Sequence, residues 1–121
     1  MKNITHIYRH GDWLLEAVKD IAKDAQEVTK DALGKTASTS FTFGVGDATG
    51  HNHVAIVNDI TKMKWYRASD GGWYVSLSEE AKLTHPEHSM VKDLVIAPGT
   101  YRVRQAKERD WFSLTTRRVI D

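Results

Sequence analysis

The run Lys62-Met63-Lys64-Trp65-Tyr66-Arg67 is separated from Trp73-Tyr74-Val75-Ser76-Leu77 by a segment containing Asp70-Gly71-Gly72. Aromatic and β-branched side chains suit a pleated, half-buried surface, and an Asp-Gly-Gly turn joins two such runs into a β-hairpin. The rest of the chain must therefore supply a sheet for that hairpin. Further strands are predicted over Ser40–Phe43, His51–Val57 and Leu94–Ala97. Pro98-Gly99 predicts a type II turn leading into a strand over Thr100–Gln105. In that strand Tyr101 and Val103 alternate with Arg102 and Arg104, giving one apolar and one cationic face.

The first third reads two ways. Leu14, Val18, Ile21, Ala25, Val28 and Ala32 fall at helical spacing, with Asp12 available as a cap. Trp13-Leu14-Leu15 equally opens a strand after His10-Gly11-Asp12, so residues 13–18 stay open between strand and helix. A short helix is expected near residues 20–33, ended by Gly34. Lys35–Ser40, polar and rich in Thr and Ser, reads as a loop. The fold class is thus mainly β, a small β-barrel or sandwich with one short helix, in a single domain over residues 1–121.

Composition narrows the chemistry. No cysteine occurs, which excludes disulfides, thiolate zinc sites and cysteine nucleophiles. With 40% hydrophobic and 27% charged residues, the 121-residue chain is ordinary globular material. No apolar run approaches the roughly 18 residues of a membrane span, and no signal-peptide core opens the chain, so a cytoplasmic protein with no membrane partner is expected. The net charge is +1, with six Lys/Arg against three Asp/Glu over residues 101–121. That excess is too small to predict nucleic-acid binding, but it leaves room for a small anionic ligand.

Five of the six histidines sit in three motifs: His10-Gly11-Asp12, Gly50-His51-Asn52-His53 and Thr84-His85-Pro86-Glu87-His88. In a strand, residues two apart project to the same side, so His51 and His53 form a ready pair of imidazole ligands. Pro86 forces a turn that brings His85 and His88 towards one centre. Together they suit a divalent metal, zinc first, with His10, Asp47 and Glu87 completing the site or orienting a ligand. Two other classes compete. Separated histidines near Arg102 and Arg104 suit phosphate or nucleotide binding, or phosphodiester cleavage by acid–base histidines. The wealth of tryptophan and tyrosine, and Trp111-Phe112 among charges, suits an interaction module that forms homo-oligomers. In that reading the strands at Leu94–Ala97 or Thr100–Gln105 present an edge to a second copy.

Gly50-His51-Asn52-His53, a later histidine and Ala97-Pro98-Gly99-Thr100-Tyr101 together resemble the two metal motifs of cupins, which implies a small β-barrel holding a metal. Nearly the whole chain is also similar to an uncharacterised family of small bacterial and phage proteins. The similarity runs through His10-Gly11-Asp12, Thr49-Gly50-His51-Asn52-His53, Leu83-Thr84-His85-Pro86-Glu87-His88 and Pro98-Gly99-Thr100-Tyr101-Arg102-Val103-Arg104-Gln105. It implies a phage or bacterial setting (host cytoplasm or virion) and a strand over residues 11–18, and it implies no reaction.

Overall fold

The computed structural model describes residues 7–10, 13–45, 52–84, 93–105 and 119–120. The fold is mainly β, as the alternation patterns require. In chain order the strands are β1 (Ile7–His10), β2 (Trp13–Ala17), β3 (Gln26–Glu27), β4 (Ser40–Val45), β5 (Asn52–Ile56), β6 (Met63–Arg67), β7 (Trp73–Leu77), β8 (Ala81–Thr84), β9 (Leu94–Ile96), β10 (Gly99–Gln105) and β11 (Val119–Ile120). The expected hairpin is β6–β7, with Met63 opposite Leu77 and Arg67 opposite Trp73. Gly71, at φ +86°, takes the left-handed conformation its turn needs.

Two sheets result. One has seven strands in the order β11-β1-β2-β10-β7-β6-β3, and the other has four in the order β4-β5-β8-β9. All pairs are antiparallel except β1 with β11. The sheets stay separate and enclose a common core, so the architecture is a sandwich; the closed barrel implied by the cupin resemblance does not form. Residues 13–17 are strand, which settles that segment. β10 lies between β2 and β7 at the centre of its sheet, so Thr100–Gln105 offers no edge to a second copy, whereas β9 is an edge.

The expected helix near residues 20–33 is absent. Its apolar stripe is divided instead: Leu14 enters β2, and Val28 and Ala32 pack against the core from an irregular segment. The backbone there bonds outward to both sheets, Val28 N–H to Trp65 C=O at 2.9 Å and Ala32 N–H to Thr42 C=O at 2.9 Å. Those tertiary bonds replace the helical ladder that alanine-rich spacing favours in isolation. Gly34, at φ +81°, closes a tight turn rather than a helix. The Asp31 carboxylate organises that turn, accepting from the N–H of Leu33 at 2.9 Å, of Lys35 at 3.0 Å and of Thr42 at 3.4 Å.

The core lies between the sheets. Tyr8, Leu15, Trp65, Val75, Tyr101 and Val103 from one sheet meet Phe41, Phe43, Ala55, Leu83 and Ile96 from the other. The exposures of β7 and β10 alternate between buried and partly exposed, the signature of strands covered on one face. Ile7 and Leu14 are fully buried on the other face, so the β1–β2 hairpin is covered on both sides.

At Ala97–Gly99 the chain leaves the small sheet for the large one. Gly99 opens β10 at φ +153°, a mirror-image extended conformation, so the Pro-Gly pair makes a corner between sheets rather than a type II turn. Two tyrosines fasten it. The Tyr101 hydroxyl donates to Ala97 C=O at 2.6 Å, and Ala97 N–H donates to the Tyr8 hydroxyl at 3.2 Å. The two rings meet edge to face, 5.7 Å apart. Burial, and then the neighbouring Tyr8 hydroxyl, push the Tyr101 phenol above its ordinary 10.0.

A raised phenol contributes stability that is present below pH about 10 and is lost as pH rises through the folded-state value. Urea unfolding above pH 10 should therefore show a steep loss that is smaller in Tyr101→Phe. At neutral pH the same variant should cost about 1–2 kcal/mol, because it orphans a carbonyl partner. Equal alkaline sensitivity in the two proteins would remove Tyr101 as the cause.

Candidate functional site

His10 is the last residue of β1 and His53 the second of β5, so they come from different sheets. Their exposures are 2% and 5%, and both rings point between the sheets. The Nδ1 atoms lie 2.8 Å apart although the residues are 43 positions apart in sequence. β4 shifts register between Thr42 and Gly44, which sets Gly44 opposite His53. On the β1 side, His10 pairs in register with Trp13.

The surroundings are aromatic. The imidazole rings meet edge to face at 4.9 Å, and the rings of Phe43 and Trp13 lie 6.0 and 6.3 Å from that of His53. Beyond them runs a stack in which Trp65 lies flat on Phe41 at 4.3 Å and close to parallel with Phe43 at 5.6 Å. Trp73 stands edge-on to Trp65 and Phe41 and is capped by the Arg67 guanidinium, 4.1 Å from its ring centre. Trp13, Trp65 and Trp73 therefore serve the core.

A nitrogen–nitrogen hydrogen bond needs one donor and one acceptor, so one imidazole carries its proton on Nδ1 and the other leaves Nδ1 bare. Two imidazoles bound to one tetrahedral zinc at about 2.0–2.1 Å each have nitrogens about 3.3 Å apart. The observed separation needs to widen by only about 0.5 Å to admit an ion in place of the shared proton. Among the described residues, no group of three or more His, Asp or Glu is placed to hold a metal. His51, His85, His88, Asp47 and Glu87 lie outside the described residues, as do Trp111 and Phe112.

Arg102 and Arg104 do project from one face of β10, as their alternation predicts, but it is the face turned away from the histidines. Arg104 Nε donates to the Glu16 carboxylate at 3.0 Å, and that carboxylate is 4% exposed. Arg102 has a looser ion pair, 3.7 Å from Asp70. A phosphate held by these arginines is beyond reach of His10 and His53, so the two groups do not form one phosphodiester-cleaving site. Sequence reasoning missed both the His10–His53 pair and the Glu16–Arg104 pair. The signal for the second was a carboxylate sharing the outward face of β2 with Leu14, beside a strand carrying two arginines.

Removing one imidazole leaves the other with an unanswered buried nitrogen, which costs roughly 1–3 kcal/mol, whereas removing both can be nearly neutral. Urea unfolding of His10→Phe, His53→Leu and the double variant should therefore show a double-variant loss well below the sum of the single ones. Additive losses would mean that the two rings do not depend on each other.

Among the described residues no helix is long and apolar enough to cross a membrane. No curated protein and no solved structure matches the chain. Residues 9–106 match one family, a span that includes His10, His53, both arginines and every described strand from β2 to β10. The chain belongs to the family described as Domain of unknown function (DUF8820).

Proposed function

We propose that this chain is a divalent-metal-binding protein, zinc first, whose site is built on His10 and His53. The observation that carries the reading is the 2.8 Å approach of two buried imidazole nitrogens from strands in different sheets. Imidazole is a common ligand for first-row metals, and an ion bridging these two rings ties the sheets together. His51, two residues before His53, and the segment His85-Pro86-Glu87-His88 are the proposed sources of the remaining ligands, with Asp47 as a further oxygen donor. The apolar walls supplied by Trp13 and Phe43 favour a dry site in which a charged ion holds its ligands tightly. Homo-oligomerisation remains part of the proposal, with the β9 edge rather than β10 as the strand available for pairing.

Elemental analysis of gently purified protein should find close to one equivalent of a divalent metal. The His10→Phe/His53→Leu double variant, which leaves neither nitrogen orphaned, should stay folded and lose the ion. Wild-type protein holding well under one equivalent after metal supplementation would overturn the reading.

Protons compete with metal for imidazole nitrogen, and histidine's ordinary value is about 6.5. Metal affinity should therefore weaken as pH falls from about 7.5 to about 5.5, read by competition with a chromophoric chelator. Affinity that is flat over this range would point to carboxylate ligands instead.

A further inference from the structure

The outward face of the seven-stranded sheet segregates its side chains in a way the overall charge hides. On β6 the exposed Lys64 and half-buried Tyr66 alternate with the buried Met63 and Trp65. On β7 Tyr74 and Ser76 alternate with Trp73, Val75 and Leu77, and on β10 Thr100, Arg102 and Arg104 alternate with Tyr101 and Val103. The register aligns Tyr66 with Tyr74 and Tyr74 with Arg102 across three adjacent strands. A second row aligns Lys64 with Ser76 and Ser76 with Thr100. The outward positions of these three strands thus hold two tyrosines, three cations and no carboxylate.

Among the described residues, acidic groups reach this face from its margins. Glu16 on β2 is engaged by Arg104, Asp70 in the β6–β7 turn lies 3.7 Å from Arg102, and Glu27 on β3 flanks Tyr66. Arg102 Nε is screened from solvent and has no hydrogen-bond partner among the described residues. The ring pairs among the described residues all lie between the sheets, and Tyr66 and Tyr74 take part in none.

We propose that the outward face of β6, β7 and β10 binds single-stranded nucleic acid, with bases stacked on Tyr66 and Tyr74 and phosphates held by Lys64 and Arg102. Neighbouring strands are about 4.8 Å apart and alternate residues along a strand about 6.8 Å apart, so adjacent tyrosines can each carry a base while the cations beside them meet the backbone. The ligand's chemistry follows from what the face lacks. A sugar needs acceptors as well as donors, and no carboxylate stands among these outward positions. An acidic peptide would use the cations but not the tyrosine faces. A duplex hides its base faces. The surface is on the opposite side of the sheet from His10 and His53, so it stands or falls apart from the metal reading.

The test is fluorescence anisotropy with a labelled single-stranded DNA of about ten nucleotides, within the site sizes usual for such surfaces. Binding is expected at low salt, weakening as salt rises with a slope of about −0.7 for each phosphate neutralised. Tyr66→Ala and Tyr74→Ala should each weaken binding about tenfold or more, while Tyr66→Phe and Tyr74→Phe, which keep the rings, retain it. Arg102→Gln and Lys64→Gln, both at solvent-reaching positions, should each reduce the salt slope by about 0.7. Lys82→Gln, on the outer face of the other sheet, should change nothing. Absence of binding at low salt, equal affinity for a duplex, or a salt slope unmoved by Arg102→Gln and Lys64→Gln would overturn the proposal. Displacement by inorganic phosphate with no dependence on either tyrosine would reduce the face to a simple anion site and overturn it equally.

Discussion

Everything in this sandwich depends on the flat contact between Trp65 and Phe41, two rings 4.3 Å apart and within 5° of parallel. Trp65 belongs to the seven-stranded sheet and Phe41 to the four-stranded one, so the contact sets how the sheets meet. Phe43 extends the stack by one ring, and Trp73 closes it edge-on. Such pairs contribute roughly 0.5–1.5 kcal/mol beyond the burial of their area, and their geometry restricts sliding that aliphatic side chains would allow. The histidine pair sits at the end of this stack, against Phe43 and Trp13. Its 2.8 Å separation is therefore held by the packing of rings that take no part in its chemistry.

The connections between the sheets fall at two places with different chemistry. At one, the irregular segment after β2 runs from β3, on the edge of the large sheet, to a backbone bond with Thr42 on β4, the edge of the small one. It covers two edges that would otherwise present unpaired N–H and C=O groups. At the other, the Ala97–Gly99 corner carries the chain from β9 into β10 under the hydroxyls of Tyr8 and Tyr101. Between them the sandwich keeps one face of β10 apolar and inside. The other face is left cationic, so the buried nitrogen site and the charged outer surface lie on opposite sides of one sheet.

Much of this was legible in the residues. The β6–β7 hairpin, the strands at β4, β5 and β9, and the two faces of β10 follow from period-two alternation bounded by Gly, Pro and Asp, because a pleated strand turns successive side chains to opposite sides. His10 and His53 were both marked as candidates by their motifs. Their partnership was not legible, since nothing local says that β1 and β5 will face each other across a core. Residues 20–33 show the limit from the other direction. Their spacing matches a helix, yet the N–H groups of Val28 and Ala32 find carbonyls on Trp65 and Thr42, and tertiary bonding overrides a weak alanine-based preference.

The class of the fold, the course of the β6–β7 hairpin and of β4, β5, β9 and β10, the two faces of β10 and the residue types available for chemistry could thus be read from the chain alone. These are local properties, carried by alternation and by turn residues. Tertiary structure alone decided that β10 lies at the centre of a sheet while β9 is an edge, that Glu16 meets Arg104, and that the arginines face away from the histidines. It also decided that His10 stands beside His53. Such pairings depend on the order of strands within each sheet and on which sheet each strand joins. That order depends on pairings and contacts between residues far apart in sequence, such as Trp65 on Phe41, which no single segment of the chain encodes.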